Sequence, residues 1–294
     1  MKLMYKFNIS NGLFPTQWNI ENGNPNNGQL IPLSSHKLVA EIFSAHYSVG
    51  AYADSAHEYL LKQYLLTARS EPQTLELCTL ALAPFSFRFS LASPDLSSIN
   101  GVINNLLYIT PNRHLLYVTD TTSGITTHKL EHLSCFFPGL LALGLFSLSA
   151  TDTTPYTLAQ KQLHYWAAEG LAETCWLIYH DQKSGLGPDE VWMEDYMKTQ
   201  GSNDRGNVTR GTNFVSVADT EKDGLWVGQV AKWKKDRKKS GTPPGVPAPG
   251  ESFKREEDLK KRDYRVMINS YLLRPEVCSI TWFLSVRGTT DWCG

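Results

Sequence analysis

The sequence has no apolar run long enough to cross a membrane. Its longest one, Cys135 to Leu148, is interrupted by Pro138, Gly139 and Gly144, and it falls short of the roughly 20 residues that cross a bilayer. The opening stretch MKLMYKFNISNG lacks the continuous apolar segment of a signal peptide. We therefore predict a core helix at the apolar run, with neither a membrane span nor a targeting signal in this chain.

The sequence also has almost no net charge and no closely spaced pair of cysteines. Its 28 Lys and Arg residues balance 29 Asp and Glu residues, which leaves a formal net charge of -1. Such a chain has no overall field to attract a polyanion, so we predict no nucleic-acid partner. The five cysteines are Cys78, Cys135, Cys175, Cys278 and Cys293. Their spacing matches no metal-binding motif, so we predict no metal site from them.

Aromatic residues, in contrast, are plentiful. They make up 11% of the 294 residues and include eight Trp and thirteen Tyr. Aromatic side chains line many ligand clefts, and carbohydrate sites often have this composition. The chain is long enough for one domain or two, and a helical barrel is one architecture that uses this length.

Helical patterns alternate with loops along the chain. A loop dense in Asn, Gly and Pro, NGLFPTQWNIENGNPNNG, is followed by a helix whose start carries the Ser-x-x-Glu motif of a capping box at 55–58. Apolar spacing predicts further helices over 96–107, 132–149 and 157–180, and a short strand over 114–120. The basic and then Pro/Gly-rich stretch 232–251 is predicted to be a surface loop, with a nucleic-acid-binding tail as the alternative.

Two carboxylates, Asp54 and Glu276, lie at the predicted starts of helices. Asp54 directly precedes the capping-box motif, and Glu276 follows Arg274 and Pro275, a triplet that suits the first turn of a helix. Each carboxylate has two interpretations. It could simply stabilise the positive end of a helix, or it could be an acid or base held at a loop-to-helix junction and, for Glu276, tuned by Arg274.

A second pair of polar residues raises the same choice. Glu131 and His132 come directly before the apolar run, either as a helix-terminal charge with a hydrogen-bonded His or as part of a site. Cys135 and Cys175 fall on successive predicted helices. They could be bridged or remain free buried thiols, and the sequence leaves both open.

Taken together and in order, several stretches resemble glycoside hydrolase family 47, the class I α-1,2-mannosidases, and its fungal members above all. The stretches run from about residue 11 to residue 276. They are NGLFPTQWN, ADSAHEYLLKQYLLT, LLYVTDTTSGITTHKLEHLSCFFPGLLALG, LHYWAAEGLAETCWLIYHDQKSGLGPDE, and RDY followed by YLLRPE.

The resemblance implies an all-α fold, an (α/α)7 barrel of helical hairpins with long loops and short β segments. We expect residues 1–294 to form one partial catalytic domain, truncated at both ends relative to the family. The implied activity is the inverting hydrolysis of terminal α-1,2-linked mannose from N-glycans. The alternative is a glycan-binding relative that is catalytically incomplete, or an inactive fragment.

The resemblance also implies roles for particular residues. Glu276 matches a catalytic carboxylate and is the expected base that activates water, and Asp54 matches a second one that assists proton transfer or shares the base role. Arg274, Glu131 and His132 match positions that bind the substrate or its neighbouring carboxylates. Cys135 and Cys175 match a disulfide of the family.

The cofactor and cellular setting follow from the same resemblance. Calcium is expected for the family, although the Thr that binds it directly has no counterpart in this chain. The expected partner is a high-mannose N-glycan, and a monomer is expected. The implied location is the lumen of the endoplasmic reticulum or Golgi, with a membrane anchor in a full-length form left open.

Overall fold

Helices dominate the structure. A computed structural model of the chain describes residues 13–19, 21, 46–71, 98–122, 125–148, 157–195, 224–236, 241–248, 250–274 and 276. In these ranges the five α-helices are α1 (Asp54–Leu66), α2 (Ser98–Asn105), α3 (Phe136–Ser147), α4 (Leu158–His180) and α5 (Trp226–Lys235). The predicted helix-rich class with short β segments is confirmed, as are the helices predicted over 96–107, 132–149 and 157–180.

The longest helix, α4, begins and ends where local signals place it. Thr157 Oγ1 accepts a hydrogen bond from the Gln160 amide at 3.2 Å, and Gln160 Oε1 accepts one from the Thr157 amide at 2.9 Å. This reciprocal capping box satisfies two amides that lack a partner within the helix. The helix ends at Asp181, ahead of Gly185 with its positive φ of 71°.

The start of α1 differs from the expected capping box. The helix begins at Asp54 with Ala53 as its N-cap, and no side chain caps it. Ser55 therefore lies inside the first turn, where its hydroxyl cannot act as the N-cap. The amides of Ala53 and Asp54 instead donate to the carbonyl of Gly50 at 2.9 and 2.8 Å, so the preceding turn supplies the acceptor.

Short antiparallel strands form three small sheets in the described residues. One sheet has the order β1-β4-β5, one is the β2-β3 hairpin, and one has the order β6-β7-β8. The hairpin contains the strand predicted over 114–120, and both of its strands are buried. The strands are β1 (His46–Tyr47), β2 (Leu107–Ile109), β3 (Leu116–Val118), β4 (Thr121–Thr122), β5 (Ile125–Thr126), β6 (Lys129–Glu131), β7 (Glu190–Met193) and β8 (Tyr264–Ile268).

One hydrophobic core joins these elements. Helix α3 packs on α4, and α4 packs on β3. Fully buried side chains from the helices and the hairpin fill the space between them; the largest include Trp226, Tyr117, Phe137, Leu60, Leu61 and Leu171. No helix in the described ranges is long and apolar enough to span a membrane.

The stretch 232–251 was predicted to be a surface loop, and where the structure describes it, it is a largely exposed helix end followed by a partly buried loop. Residues 232–235 belong to the last turns of α5, and Val246 is 6% exposed. Trp226 Nε1 donates to the carbonyl of Pro244 at 2.8 Å. A Cβ on Gly170 of α4 would lie 2.2 Å from the Gly245 carbonyl oxygen, so the glycine permits this close packing. Residues 237–240 and 249 lie outside the described residues.

Candidate active site

Glu276 lies near the first turns of α1. Its Oε2 is 3.7 Å from Nδ1 of His132, and its pKa is raised by burial and by the nearby charges of Asp54 and Glu58. The backbone hydrogen bond at Glu276 and the positive charge of Arg274 oppose this rise. The structure therefore brings four of the predicted residues, Asp54, His132, Arg274 and Glu276, into one electrostatic environment.

Glu58 is a further member of this group that the sequence did not identify. It lies four residues after Asp54 and thus on the same face of α1. Its carboxylate pairs with Lys62 one turn further on. The signal in the sequence was the spacing from Asp54, but Glu58 had been assigned to a cap instead.

His132 is held with its ring facing Glu276. It starts a 3₁₀ turn, His132–Cys135, and its amide donates to the carbonyl of Asp189 at 2.8 Å. Nε2 is hydrogen-bonded to the Tyr179 hydroxyl. Burial lowers the pKa of His132, and the charge of Arg274 lowers it further, with Asp189 acting against them. The ring is therefore neutral at pH 7, and its Nδ1 makes no hydrogen bond within the described part of the chain.

Arg274 has a partner that the sequence did not indicate. Its Nη1 donates to Oδ1 of Asp189, whereas the sequence suggested only Glu276 as its neighbour. The Asp189 amide donates to the carbonyl of Ile268 at 3.0 Å, which anchors it beside the β6-β7-β8 sheet. Asp189 follows the helix predicted over 157–180, and no pattern in the sequence indicated it as a site residue.

Glu131 is bound by the protein itself. Its Oε2 accepts a hydrogen bond from the Ala51 amide at 2.8 Å, and its Oε1 accepts one from Lys129 Nζ. Burial favours a raised pKa for Glu131, but the hydrogen bonds from Lys129 and the Ala51 amide outweigh it and lower the pKa overall. The charged carboxylate thus holds the turn that leads into α1 and Asp54. Its predicted sugar-binding role stays a prediction.

Gly50 makes this contact possible. A Cβ at this position would lie 2.2 Å from Oε2 of Glu131, far inside any real contact. Lys129 Nζ also lies 3.5 Å from Oδ2 of Asp120 and 3.7 Å from Oε2 of Glu190. The Lys129 ammonium therefore offsets the negative charge of three carboxylates, those of Asp120, Glu131 and Glu190.

A disulfide ties the His132 turn to α4. Cys135 and Cys175 are bonded, with their Cα atoms 6.0 Å apart and 40 positions between them in sequence. Tyr179, the hydrogen-bond partner of His132, lies one turn further along α4. The bond therefore fixes both ends of the contact that orients the imidazole. Cys78, Cys278 and Cys293 lie outside the described residues.

The arrangement suits acid–base work on a neutral, polar ligand. It combines the Glu276 carboxyl group, whose pKa is raised, with the carboxylates of Asp54 and Glu58. The neutral His132 imidazole and the Arg274–Asp189 pair complete it. Ca²⁺ takes six to eight oxygen ligands, and the described ranges hold no group of three or more His, Cys, Asp or Glu side chains arranged for a metal. We assign no step to a metal.

Comparison with known proteins gives a consistent answer. The sequence profile of Glycosyl hydrolase family 47 matches residues 1–291. The endoplasmic reticulum mannosyl-oligosaccharide 1,2-alpha-mannosidase of Mus musculus is 29% identical over 177 residues, which cover 58% of this chain and 23% of the mouse protein. A mannosyl-oligosaccharide 1,2-alpha-mannosidase of Candida albicans is 28% identical over 189 residues, or 62% of this chain and 30% of that protein.

Among solved structures, an alpha-1,2-mannosidase from Trichoderma reesei is similar to this chain. The match has 17% sequence identity and a TM-score of 0.45, and it covers 82% of this chain and 34% of the other. The chain therefore spans about a third or less of the length of these relatives.

Proposed function

The chain belongs to glycosyl hydrolase family 47, and we propose that it acts in the hydrolysis of terminal α-1,2-linked mannose from N-linked glycans. Membership of the family also supports the expected partial (α/α)7 barrel. The observation that carries the proposal is the environment of Glu276, a carboxyl group whose pKa is raised by burial and by Asp54 and Glu58 beside it.

In the proposed reaction, Glu276 acts as the base. A water oxygen attacks the anomeric carbon of the terminal mannose while one of its protons passes to the Glu276 carboxylate. The bond from the anomeric carbon to the leaving oxygen breaks, and a general acid gives that oxygen a proton. An inverting enzyme keeps its acid and base about 6.5–9.5 Å apart so that the water fits between the base and the sugar.

The raised pKa suits this role because a carboxylate of higher pKa is a stronger base. Asp54 either assists the proton transfer or shares the role of base, as the resemblance implies. His132 presents Nδ1 towards Glu276 at 3.7 Å, a gap that a water or a sugar hydroxyl could bridge. Arg274, paired with Asp189, would bind sugar hydroxyls at the edge of the site.

The proposed setting is the lumen of the endoplasmic reticulum or Golgi, with the chain acting as a monomer. Two observations support a secretory lumen: the mouse relative is named as an enzyme of the endoplasmic reticulum, and a disulfide joins Cys135 to Cys175. Disulfides persist in oxidising compartments and are rare in the cytosol. A calcium requirement and a glycan-binding relative without turnover are proposals that the experiment below can separate, and a membrane anchor in a full-length form is a further proposal.

The test is mannose release from a high-mannose N-glycan by the full chain, with calcium and with a chelator. We expect Glu276→Gln to lower the rate by about 10²–10⁴-fold, the usual contribution of a general base, while glycan binding persists. Glu251→Gln, at an exposed carboxylate far along the chain, is the matched control and should behave as the wild type. Binding without release by the wild type would favour the glycan-binding alternative, and equal release by Glu276→Gln would contradict the assignment of the base.

A further inference from the structure

A cavity beside the β6-β7-β8 sheet is separate from the carboxylates of the candidate active site. Its volume is about 1000 Å³, and none of Asp54, His132 and Glu276 lines it. Side chains from β7, from β8 and from the turn before β6 form its walls. The ones used below are His128, Trp192, Glu194, Asp195, Lys260 and Arg265.

We propose that this cavity is a second carbohydrate subsite, in which a hexose residue of the same oligosaccharide stacks on the indole ring of Trp192. The inference rests on the proposed function, since it concerns the glycan whose end enters the candidate active site. It adds a specific contact for a part of the glycan away from the bond that is cleaved.

Trp192 supplies the first part of the argument. On β7 the side chains alternate between core and cavity: Val191 and Met193 are 1% and 4% exposed, whereas Trp192 is 44% exposed. A large aromatic side chain on an ordinary surface would need no explanation. This one, however, forms a wall of a cavity of ligand size. A flat apolar ring of this kind matches the apolar face of a hexose.

The polar walls supply the second part. Two carboxylates, Glu194 and Asp195, face the cavity together with the cationic side chains of Lys260 and Arg265. Arg262 also lines the cavity, so side chains of both charges surround any ligand that enters it. Planar carboxylate and guanidinium groups can bind the adjacent hydroxyls of a neutral sugar with two hydrogen bonds each.

These walls are held in place by the protein. The Glu194 amide donates to the carbonyl of Asp263 at 2.8 Å. Asp195 Oδ2 lies 3.8 Å from Nε2 of His128, whose Nδ1 is hydrogen-bonded to the Tyr117 hydroxyl at 2.7 Å. A preorganised wall loses little entropy when a ligand binds, which favours binding of a flexible oligosaccharide.

The position of Trp192 along the sheet connects the cavity to the candidate active site. Trp192 is opposite Lys129 in the β6-β7 register, and Glu131 is opposite Glu190. His132 directly follows Glu131 at the end of β6, so it is three residues along the chain from Lys129 and at most about 10 Å away. A short oligosaccharide could therefore reach from His132 to the indole ring.

The experiment compares a high-mannose N-glycan with α-1,2-linked mannobiose as ligands of the full chain, using titration calorimetry. We expect Trp192→Ala to weaken binding of the large glycan by about tenfold, the upper end of what one aromatic contact contributes, and Trp192→Phe to restore most of it. Binding of mannobiose, which occupies only the candidate active site, should not change. Phe146→Ala, at an aromatic residue that is 70% exposed on α3, is the matched control.

The outcomes separate this inference from the proposed function. If Trp192→Ala binds the large glycan as tightly as the wild type does, the subsite is overturned while the proposed function stands. If both ligands lose affinity equally, the residue acts on the whole fold or on the candidate active site, and the subsite is again overturned. If the wild type binds neither ligand, both proposals fail. The melting temperature of each variant shows that it is folded.

Discussion

Two carboxylates, Asp181 and Glu276, have opposite surroundings. The side chain of Asp181 is 0% exposed and accepts three hydrogen bonds. They come from Arg113 Nη1 at 2.8 Å, the Tyr264 hydroxyl at 3.0 Å and the Glu256 amide at 2.7 Å. These contacts join α4 to chain segments about 70 to 80 residues away in either direction. Asp181 is thus a saturated carboxylate that fastens the fold.

Glu276 has a different balance of contacts. Its side chain is 17% exposed, and Nδ1 of the neutral His132 ring lies 3.7 Å from its Oε2, beyond hydrogen-bond range. Burial and the like charges of Asp54 and Glu58 raise its pKa. The comparison indicates that a saturated carboxylate stabilises the fold, whereas like charges raise the pKa of a carboxylate and make it a better proton acceptor.

The largest test of this comparison is the stability of Asp181→Ala against that of Glu276→Gln. Removing the fully buried Asp181 leaves the half-buried Arg113 guanidinium, the Tyr264 hydroxyl and the Glu256 amide without this acceptor, and we expect a loss of about 3–5 kcal/mol in the free energy of unfolding. Removing the charge of Glu276 relieves repulsion from Asp54 and Glu58, so its variant should be as stable as the wild type or more so. Urea denaturation measures both. Equal losses for the two variants would show that the two carboxylates do not differ in role.

A smaller test concerns Glu131, which is saturated like Asp181 but lies at the edge of the candidate active site. Glu131→Gln weakens the hydrogen bonds from Lys129 and the Ala51 amide, and we expect a loss of about 1–3 kcal/mol in the free energy of unfolding. Mannose release should also fall, because the turn before Asp54 is less firmly held. Urea denaturation and the rate constant kcat are the measurements.

The double variant Glu131→Gln with Lys129→Met is the control for this prediction. It removes the ammonium that Glu131→Gln leaves without its closest carboxylate, so it should recover part of the lost stability. A simple sum of the two single losses would mean that Lys129 acts through Asp120 and Glu190, and not through Glu131.

The local part of this structure could be predicted from the sequence. The long α4 follows from apolar spacing and from Thr157 with Gln160, which lie within one turn of each other. Short motifs placed Asp54 and Glu276 at the starts of predicted helices, while their expected catalytic role came from the resemblance to glycoside hydrolase family 47. In such cases the physical cause of the structure lies within a few neighbouring residues.

The long-range part could not be predicted. The Arg274–Asp189 pair joins residues 85 positions apart, and the contact of Glu131 with the Ala51 amide spans 80 positions. No local pattern specifies either contact, because each depends on how distant segments pack. The same limit applies within 232–251: Val246 is buried and Gly245 packs closely on Gly170 of α4, a contact that a basic, Pro-rich sequence does not reveal.

The smallest expected effect is a shift in the pH dependence of mannose release, which tests the charges around Glu276. If Glu276 is the base, activity falls as the pH falls through its pKa, because the protonated carboxyl cannot accept a proton from water. Asp54 and Glu58 raise that pKa and Arg274 lowers it. Asp54→Asn should therefore move the acidic limb of the kcat/KM profile to lower pH, and Arg274→Met should move it to higher pH.

The two shifts have opposite signs, which separates an electrostatic effect on Glu276 from general damage to the site. Both variants will lose activity, since both residues lie in the site, so each profile is normalised to its own maximum before the limbs are compared. Glu251→Gln should leave the limb where the wild type has it. Shifts of the same sign, or a limb that stays fixed in both variants, would mean that the group titrating on the acidic side is not Glu276.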